Sequence, residues 1–258
     1  MKQGWLEKIV AASILCVALV GPCSADPTSL GALATDTKLY FTAPLRWDQA
    51  DWLQFAGTLA AIGVAHEYDA QVRSHFKGDT GVTSDTHGLR DAMPMMAMVA
   101  GTWAAAGIKD DRAGYKEGRT MLEAGALSAL STTLIKFATS RARPYEGNVD
   151  DWRTGGDSFP SMHVSTAFAV GTVLAESGND EYRWLRRAIG YGLATATAYA
   201  RVQDNAHWLS DTVAGAALGI ATAEFSMNRN RRSDESSAFT VMPGPDGGVM
   251  LTYSMTLR

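Results

Sequence analysis

Long alanine-rich stretches with apolar residues at helical spacing run from Trp47 to about residue 228, and this pattern strongly favours a helical fold. They predict helices near 47–74, 90–107, 115–142, 161–176, 181–203 and 207–228. Asp48 and Ser161 are typical N-cap residues near two of these starts, and Pro144 is expected to stop the third helix. The sequence therefore predicts an all-α bundle, with a helical domain over residues 47–230.

Hydropathy argues against helices that cross a membrane. The longest stretch without charge, Ala92–Ile108, contains Pro94 and two polar or small interruptions, Gly101 and Thr102. It does not clearly reach the ~18 apolar residues that mark a spanning segment. We therefore expect a soluble bundle that packs closely through alanine and glycine.

The first 25 residues have the pattern of a signal peptide. Lys2 and Lys8 form a positive segment before an apolar run, Ile9–Val20, and Cys23 opens a short stretch of small residues suited to cleavage. An uncleaved N-terminal anchor is the alternative. A lipoprotein attached through Cys23 is disfavoured, because Pro22 stands where such signals prefer a small residue. The predicted location is the periplasm or the cell exterior, with membrane association left open.

Composition narrows the chemistry of the mature chain. Both cysteines, Cys16 and Cys23, lie in the predicted signal peptide, so no disulfide, thiol nucleophile or cysteine-bound metal is expected after cleavage. The net charge of −4 gives no sign of a nucleic-acid-binding surface. Any site for an anionic substrate must therefore be a local cluster of basic residues.

The two flanks of the helical domain have different patterns. Residues 26–46 are predicted to form an arm on the core, with a short strand at 39–42. Residues 231–258 alternate between apolar and other residues on both sides of a Pro- and Gly-rich turn at 243–248, which predicts a β-hairpin. Because an isolated hairpin is marginally stable, this one is expected to pack on the bundle, the arm or a partner.

Three clusters in the helical region carry reactive side chains, and the first is basic. Lys136 and Arg143 are seven residues apart, so on a continuous helix they would share one face. Two cations on one face can hold a phosphate, with the arginine offering two parallel donors. Taken alone, a basic helix end is also favourable without any ligand.

The second and third clusters combine histidine with hydroxyl, carboxylate and guanidinium groups. Ser161 and His163 follow Pro160 at a predicted helix start, where free backbone N–H groups favour an anion. His207 and Asp211 are four residues apart, so on one helix the carboxylate could orient the imidazole as a base or nucleophile. Each cluster alone could equally be a helix cap or a stabilising pair.

Together, the three clusters resemble the signature of the type 2 phosphatidic acid phosphatase family, which includes bacterial acid phosphatases and vanadium-dependent haloperoxidases. The signature is Lys-x6-Arg-Pro, then Pro-Ser-Gly-His, then Ser-Arg-x5-His-x3-Asp. The matching residues are Lys136, Arg143, Pro144, Pro160, Ser161, His163, Arg201, His207 and Asp211. Met162 replaces the family's glycine and Ala200 its serine, which puts fine geometry and substrate choice in doubt.

The resemblance implies a role for each site residue. Phosphate-binding residues would be Lys136, Arg143, Ser161, Met162 through its backbone N–H, and Arg201. His207 would attack phosphorus, Asp211 would orient it, and His163 would protonate the leaving oxygen and later activate water. No metal or other cofactor is expected, because three cations would supply the charge. The remaining histidines, His66, His75 and His87, are expected to be structural or superficial.

The function predicted from this resemblance is an exported, metal-independent phosphatase that acts through a phosphohistidine. The fold it implies is the helical bundle of the acid phosphatase and haloperoxidase type. Phosphomonoesters, lipid phosphates and lipid diphosphates all remain open as substrates, as does peripheral contact with a membrane. Two alternatives are a vanadate-dependent haloperoxidase and a phosphate- or lipid-binding protein without turnover, for which Met162 is the motive.

Overall fold

A computed structural model describes residues 37–76, 87–109, 111–178, 182–235, 238–243 and 249–254. The predicted signal peptide lies outside these ranges. A 3₁₀ turn at Ala43–Arg46 leads into the helices. These are α1 (Gln49–Glu67), α2 (Asp69–Phe76), α3 (His87–Lys109), α4 (Arg112–Thr139), α5 (Met162–Glu176), α6 (Arg183–Gln203) and α7 (Leu209–Glu235). The prediction of an all-α bundle is confirmed.

The first helix begins where its capping residue predicts and ends earlier than the apolar pattern predicts. Asp48 accepts a hydrogen bond from the Asp51 backbone N–H at 2.9 Å, and the Asp51 carboxylate accepts one from the Asp48 N–H at 3.1 Å. This reciprocal capping box confirms the predicted N-cap. The predicted helix over 47–74 is divided at Tyr68 into α1 and α2.

Two predicted helix boundaries near the signature are wrong. Helix α4 ends at Thr139 because Ser140 adopts a left-handed conformation with φ of 45°, and its N–H bonds to the Lys136 carbonyl at 2.8 Å. Arg143 therefore lies beyond the helix and does not share a helical face with Lys136. Similarly, α7 begins at Leu209, so His207 precedes the helix.

The arm before α1 is helical at 37–41, so the predicted strand at 39–42 is wrong. The ring of Tyr40 packs edge-on against Phe225 of α7, with centroids 5.2 Å apart. Residues 39–42 suggested a strand because they are apolar or β-branched. The packing of Tyr40 on Phe225 favours a helical turn instead, since tertiary packing readily overrides strand propensity.

Helix α5 lies at the centre of the bundle and packs against α4, α6 and α7. The core residues beside it are Met98, Val99, Met121, Ala124, Ala169, Val170, Val173, Ala223 and Met227. Gly215 and Gly219 let α7 approach α5 closely. A Cβ at Gly215 would lie 2.8 Å from the Ser161 carbonyl oxygen, and one at Gly219 would clash with the Ser165 carbonyl. The close approach brings the start of α7 beside the start of α5.

Across the described ranges, no helix is both long enough and apolar enough to cross a membrane. After α7, strands β1 (Ala238–Pro243) and β2 (Val249–Ser254) pair antiparallel, with Val241 opposite Leu251. The turn expected between them at 244–248 is outside the described residues. The hairpin, and what it packs against, therefore stay a prediction.

Candidate active site

The signature residues meet at one end of the bundle, where α4 and α6 end and α5 and α7 begin. The Ser161 N–H donates to the Asp211 carbonyl at 3.0 Å, which ties the start of α5 to the first turn of α7. Two helix N-termini in one place favour an anion, because their free N–H groups and dipoles are positive. Within the described ranges, no three His, Cys, Asp or Glu side chains are arranged to hold a metal ion.

Lys136 reaches this place from the last turn of α4 and is 7% exposed. Its ammonium group donates to the backbone carbonyls of Asp157 and Ser158, the latter at 3.3 Å. Its pKa is lowered to about 8, chiefly by burial; the charge of Asp157 opposes this shift and that of Arg143 adds to it. Lys136 is therefore mostly charged at neutral pH and readily loses that charge above pH 8.

Arg143 enters from the loop that follows α4. Its guanidinium donates two parallel hydrogen bonds to Asp157, Nε to Oδ1 at 2.6 Å and Nη2 to Oδ2 at 3.0 Å. Burial would raise the pKa of the Asp157 carboxyl, but these bonds and the charges of Arg143 and Lys136 lower it to about 2. Asp157 is therefore an anion at any physiological pH.

His207 lies in the turn between α6 and α7 and is 3% exposed. Burial lowers the pKa of its imidazole well below the usual value, and the charges of Arg143, Lys136 and Arg201 lower it further. The ring is therefore neutral at pH 7, as an attacking nitrogen must be. Its Nδ1 is 3.5 Å from Asp211 Oδ2, near this carboxylate but without hydrogen-bond geometry. Such contacts are often loose in the absence of substrate.

Asp211 is fully buried in the first turn of α7, where several donors hold its carboxylate. Arg141 Nη1 donates to Oδ1 at 2.7 Å, the Trp208 N–H donates to Oδ2 at 2.9 Å, and the Ser158 hydroxyl also donates to Oδ2. Burial raises the pKa of Asp211, and Arg141 and Ser158 oppose that shift. The carboxylate faces His207 in a fixed orientation.

The second part of the signature opens α5. Ser161 is the N-cap residue, but its fully buried hydroxyl caps no N–H and finds no hydrogen-bond partner among the described residues. Met162 is the first helical residue and is not among the residues with positive φ. Met162 is therefore free of the strain that a left-handed backbone would impose on a methionine in place of glycine. His163 is half-buried, and its charge lowers the pKa of His207.

Arg201 completes the cluster from the last turn of α6 and is 6% exposed. Its charge lowers the pKa of both Lys136 and His207, which locates it beside them. Three cations, a neutral imidazole, a half-buried histidine and an unsatisfied hydroxyl thus meet in one site. Such a set can stabilise a phosphoryl group and present a nitrogen nucleophile to it.

A buried layer behind this site was missed from the sequence. Arg141 is fully buried and links Asp211 to Asp69, whose Oδ2 accepts from its Nη2 at 2.8 Å. Asp69 also accepts from the Ser210 N–H at 2.8 Å and lies 3.0 Å from Nδ1 of His66. The only sequence signal was a second arginine two positions before Arg143. Its partner Asp69 is 72 residues away and could not be paired with it from spacing alone.

Comparisons with known proteins cover the same region. Residues 118–234 match the family model described as the PAP2 superfamily. A lipid A 1-phosphatase from Porphyromonas gingivalis is 37% identical over 89 residues, which span 34% of this chain and 18% of that protein. The chain thus covers less than a fifth of the length of that relative.

Two crystal structures are also similar. LpxE of Aquifex aeolicus shows 21% identity and a TM-score of 0.38, with 56% of this chain and 88% of that chain covered. A transmembrane PAP2-type phosphatidylglycerolphosphate phosphatase of Bacillus subtilis shows 16% identity and a TM-score of 0.41, over 87% and 95% of the two chains. The family match spans all three parts of the signature. Residues 118–234 therefore form a region that is similar to the PAP2 superfamily.

Proposed function

We propose that this protein is an exported phosphatase that cleaves phosphate from a lipid through a phosphohistidine on His207. The observation that carries the proposal is a buried, neutral imidazole among three cations. Burial and the charges of Lys136, Arg143 and Arg201 keep the pKa of His207 low. That arrangement favours a nucleophile facing a phosphoryl group, because the cations that suppress imidazole protonation also stabilise the anionic substrate.

The first chemical step transfers the phosphoryl group to the protein. Asp211 Oδ2 lies 3.5 Å from Nδ1 and favours the proton on that nitrogen, which leaves the lone pair of Nε2 to attack phosphorus. The N–P bond forms as the ester P–O bond breaks. His163 gives its proton to the leaving oxygen, which departs as an alcohol. The phosphoryl oxygens are held by the three cations, the Ser161 hydroxyl and the Met162 backbone N–H.

The second step returns the enzyme to its starting state. His163, now neutral, takes a proton from a water molecule as that water attacks phosphorus. The N–P bond breaks, inorganic phosphate leaves, and His207 is again a neutral imidazole. The positive charge that a metal ion supplies in other phosphatases comes here from Lys136, Arg143 and Arg201. Catalysis is therefore expected without a metal.

Exposed apolar side chains beside the site favour a lipid as the substrate. Phe137 follows Lys136 in the last turn of α4 and is 61% exposed. Tyr145 is 53% exposed, and the charges of Arg143 and Arg201 influence its pKa, so it borders the same cluster. Large apolar groups around a charged site suit a headgroup that remains attached to acyl chains. The names of the P. gingivalis and B. subtilis relatives agree with this choice.

The test of reaction class is phosphate release by residues 26–258 in excess chelator. The substrates are a water-soluble aryl phosphate and, in detergent, phosphatidic acid, phosphatidylglycerol phosphate and undecaprenyl pyrophosphate. We expect release by the wild type and by His75→Ala, whose histidine is exposed on α2, and none by His207→Ala. Activity that disappears in chelator and returns with metal, or that persists in folded His207→Ala, would refute the mechanism.

The substrate class is tested separately by removing apolar surface beside the site. Phe137→Ser should lower kcat/KM for the preferred lipid phosphate by about fivefold and leave the aryl phosphate unchanged. Ile108→Ser is the matched control. Ile108 is 86% exposed at the end of α3, beside the start of α4, and so about 36 Å along α4 from Lys136. Equal losses on both substrates, or equal effects of both variants, would contradict a lipid-binding role for this surface.

The N-terminus supplies the proposed route of export. Cleavage after residue 25 would release a mature chain without cysteine into the periplasm or the medium. N-terminal sequencing of the protein recovered from the cell envelope tests this proposal. A mature N-terminus at Asp26 is the expected result, whereas an intact Met1 would favour the uncleaved anchor.

A further inference from the structure

The carboxylate of Asp157 occupies the cation cluster that is proposed to bind phosphate. Both of its oxygens are held by Arg143, at 2.6 and 3.0 Å. Lys136 donates to the backbone carbonyl of the same residue. His207 also interacts electrostatically with Asp157. A fixed anion is thus present in a site built for anions.

An arginine whose two parallel donors are already used cannot offer them to a phosphate. Carboxylate and phosphate accept from a guanidinium through the same fork geometry, so the two acceptors compete for Arg143. A phosphoryl dianion that enters the cluster must also overcome repulsion by the Asp157 carboxylate. Phosphate binding to the Nε–Nη2 edge of Arg143 therefore requires Asp157 to leave.

Exposure makes that displacement feasible. The side chain of Asp157 is 33% exposed and that of Arg143 is 18% exposed, unlike the fully buried pair of Arg141 and Asp211. A carboxylate already in contact with water can recover its hydration when it rotates away, so breaking this pair costs far less than breaking a buried one.

We infer that Asp157 is an internal competitor for phosphate and so determines how tightly the site holds its product. In the empty site it holds Arg143 in the binding geometry. An incoming phosphoryl group displaces it, and its return after hydrolysis helps to expel inorganic phosphate. This inference rests on the proposed function, because it assumes that the cluster binds phosphate.

The test is the affinity of the mature protein for inorganic phosphate, measured by titration calorimetry at pH 7 without substrate. Asp157→Asn keeps the shape of the side chain and removes the charge, and it should bind phosphate about tenfold more tightly than the wild type. The same variant should show stronger product inhibition by phosphate. Asp157→Glu, which keeps the charge, should stay within about threefold of the wild type.

A matched control removes a similar ion pair elsewhere. Glu176 accepts two hydrogen bonds from Arg187, at 3.0 and 2.7 Å, at the opposite end of α5 from Ser161. Glu176→Gln removes the same charge from the protein, and we expect phosphate affinity within about twofold of the wild type. Equal tightening in both acidic-to-amide variants would assign the effect to net charge and overturn the inference.

The opposite result has a clear meaning. If Asp157 only positions Arg143, Asp157→Asn will bind phosphate less tightly or equally, and the inference is then wrong while the proposed function stands. If the wild type binds no phosphate at all, the proposed function itself fails. Asp157→Ser is a second neutral variant, expected to tighten binding in the same direction, should the asparagine variant not fold.

Discussion

The charge of Lys136 gives the most quantitative prediction. Its pKa is lowered to about 8, chiefly by burial; the charges of Asp157 and Asp211 oppose this shift, and those of Arg143 and Arg201 add to it. A pKa of about 8 leaves about nine-tenths of Lys136 charged at pH 7 and about one-tenth at pH 9. If only the charged form holds the phosphoryl group, kcat/KM should lose about tenfold over this range from Lys136 alone.

The perturbation that isolates this effect is Lys136→Arg. Arginine stays protonated throughout the range, although its shape will lower the absolute rate. Other groups, including His163, titrate in both enzymes, so the ratio of kcat/KM for the variant to that for the wild type cancels them. We expect this ratio to rise about tenfold between pH 7 and pH 9.

The assay is initial-rate hydrolysis of an aryl phosphate, measured from pH 6.5 to pH 10 under non-saturating substrate. Lys116→Arg is the control, because Lys116 is on the same helix and is exposed. Its ratio to the wild type should be independent of pH. A ratio for Lys136→Arg that is also flat would refute the reasoning, since it would mean that the charge of Lys136 does not change over this range or does not affect the reaction.

Three further predictions follow from the geometry. Asp211→Asn should lower kcat by about 10³- to 10⁴-fold in single-turnover measurements with little change in KM, because the amide cannot stabilise the same tautomer of the imidazole. Arg141→Ala should cost about 3–5 kcal/mol of unfolding free energy in urea titrations, because it leaves buried carboxylates without their shared cation. Gly219→Ala should cost about 1–3 kcal/mol because its methyl group would meet the backbone of α5, whereas Gly192→Ala, with open space around it, should be neutral or slightly stabilising in thermal unfolding.

Helix content was predictable from the sequence, but the helix ends beside the site were not. The alanine-rich periodicity located the helical regions of the bundle, although it joined α1 and α2 into one helix, and Asp48 marked the start of α1. The end of α4 depends on Ser140, a residue with little preference for the left-handed conformation that it adopts. Pro144 predicted an end of α4 near residue 142, whereas the helix ends at Thr139. The predicted common face of Lys136 and Arg143 failed for that reason.

The residues of the site could be chosen from residue types and spacing, whereas the buried residues that hold them in place could not. Lys136, Arg143, Arg201 and His207 come together in the structure as the signature suggested, although the roles of these residues remain proposals. In the sequence, Arg141 cannot be told from the other basic residues of the motif, because its partner Asp69 is brought beside it only by the fold. Asp157 likewise carries no signal in the sequence, because its importance comes from the arginine that it contacts.

The claim that His207 carries the phosphoryl group is tested most directly by trapping it. Wild type and His163→Ala would be mixed with ³²P-labelled substrate and quenched in alkaline denaturant within milliseconds, and the labelled peptide would then be identified by mass spectrometry. We expect an acid-labile, alkali-stable phosphoryl group on His207. It accumulates further in His163→Ala if attack by His207 on the substrate remains faster in this variant than hydrolysis of the phosphohistidine. Turnover without any protein-bound phosphate, or with phosphate on another residue, would contradict this expectation.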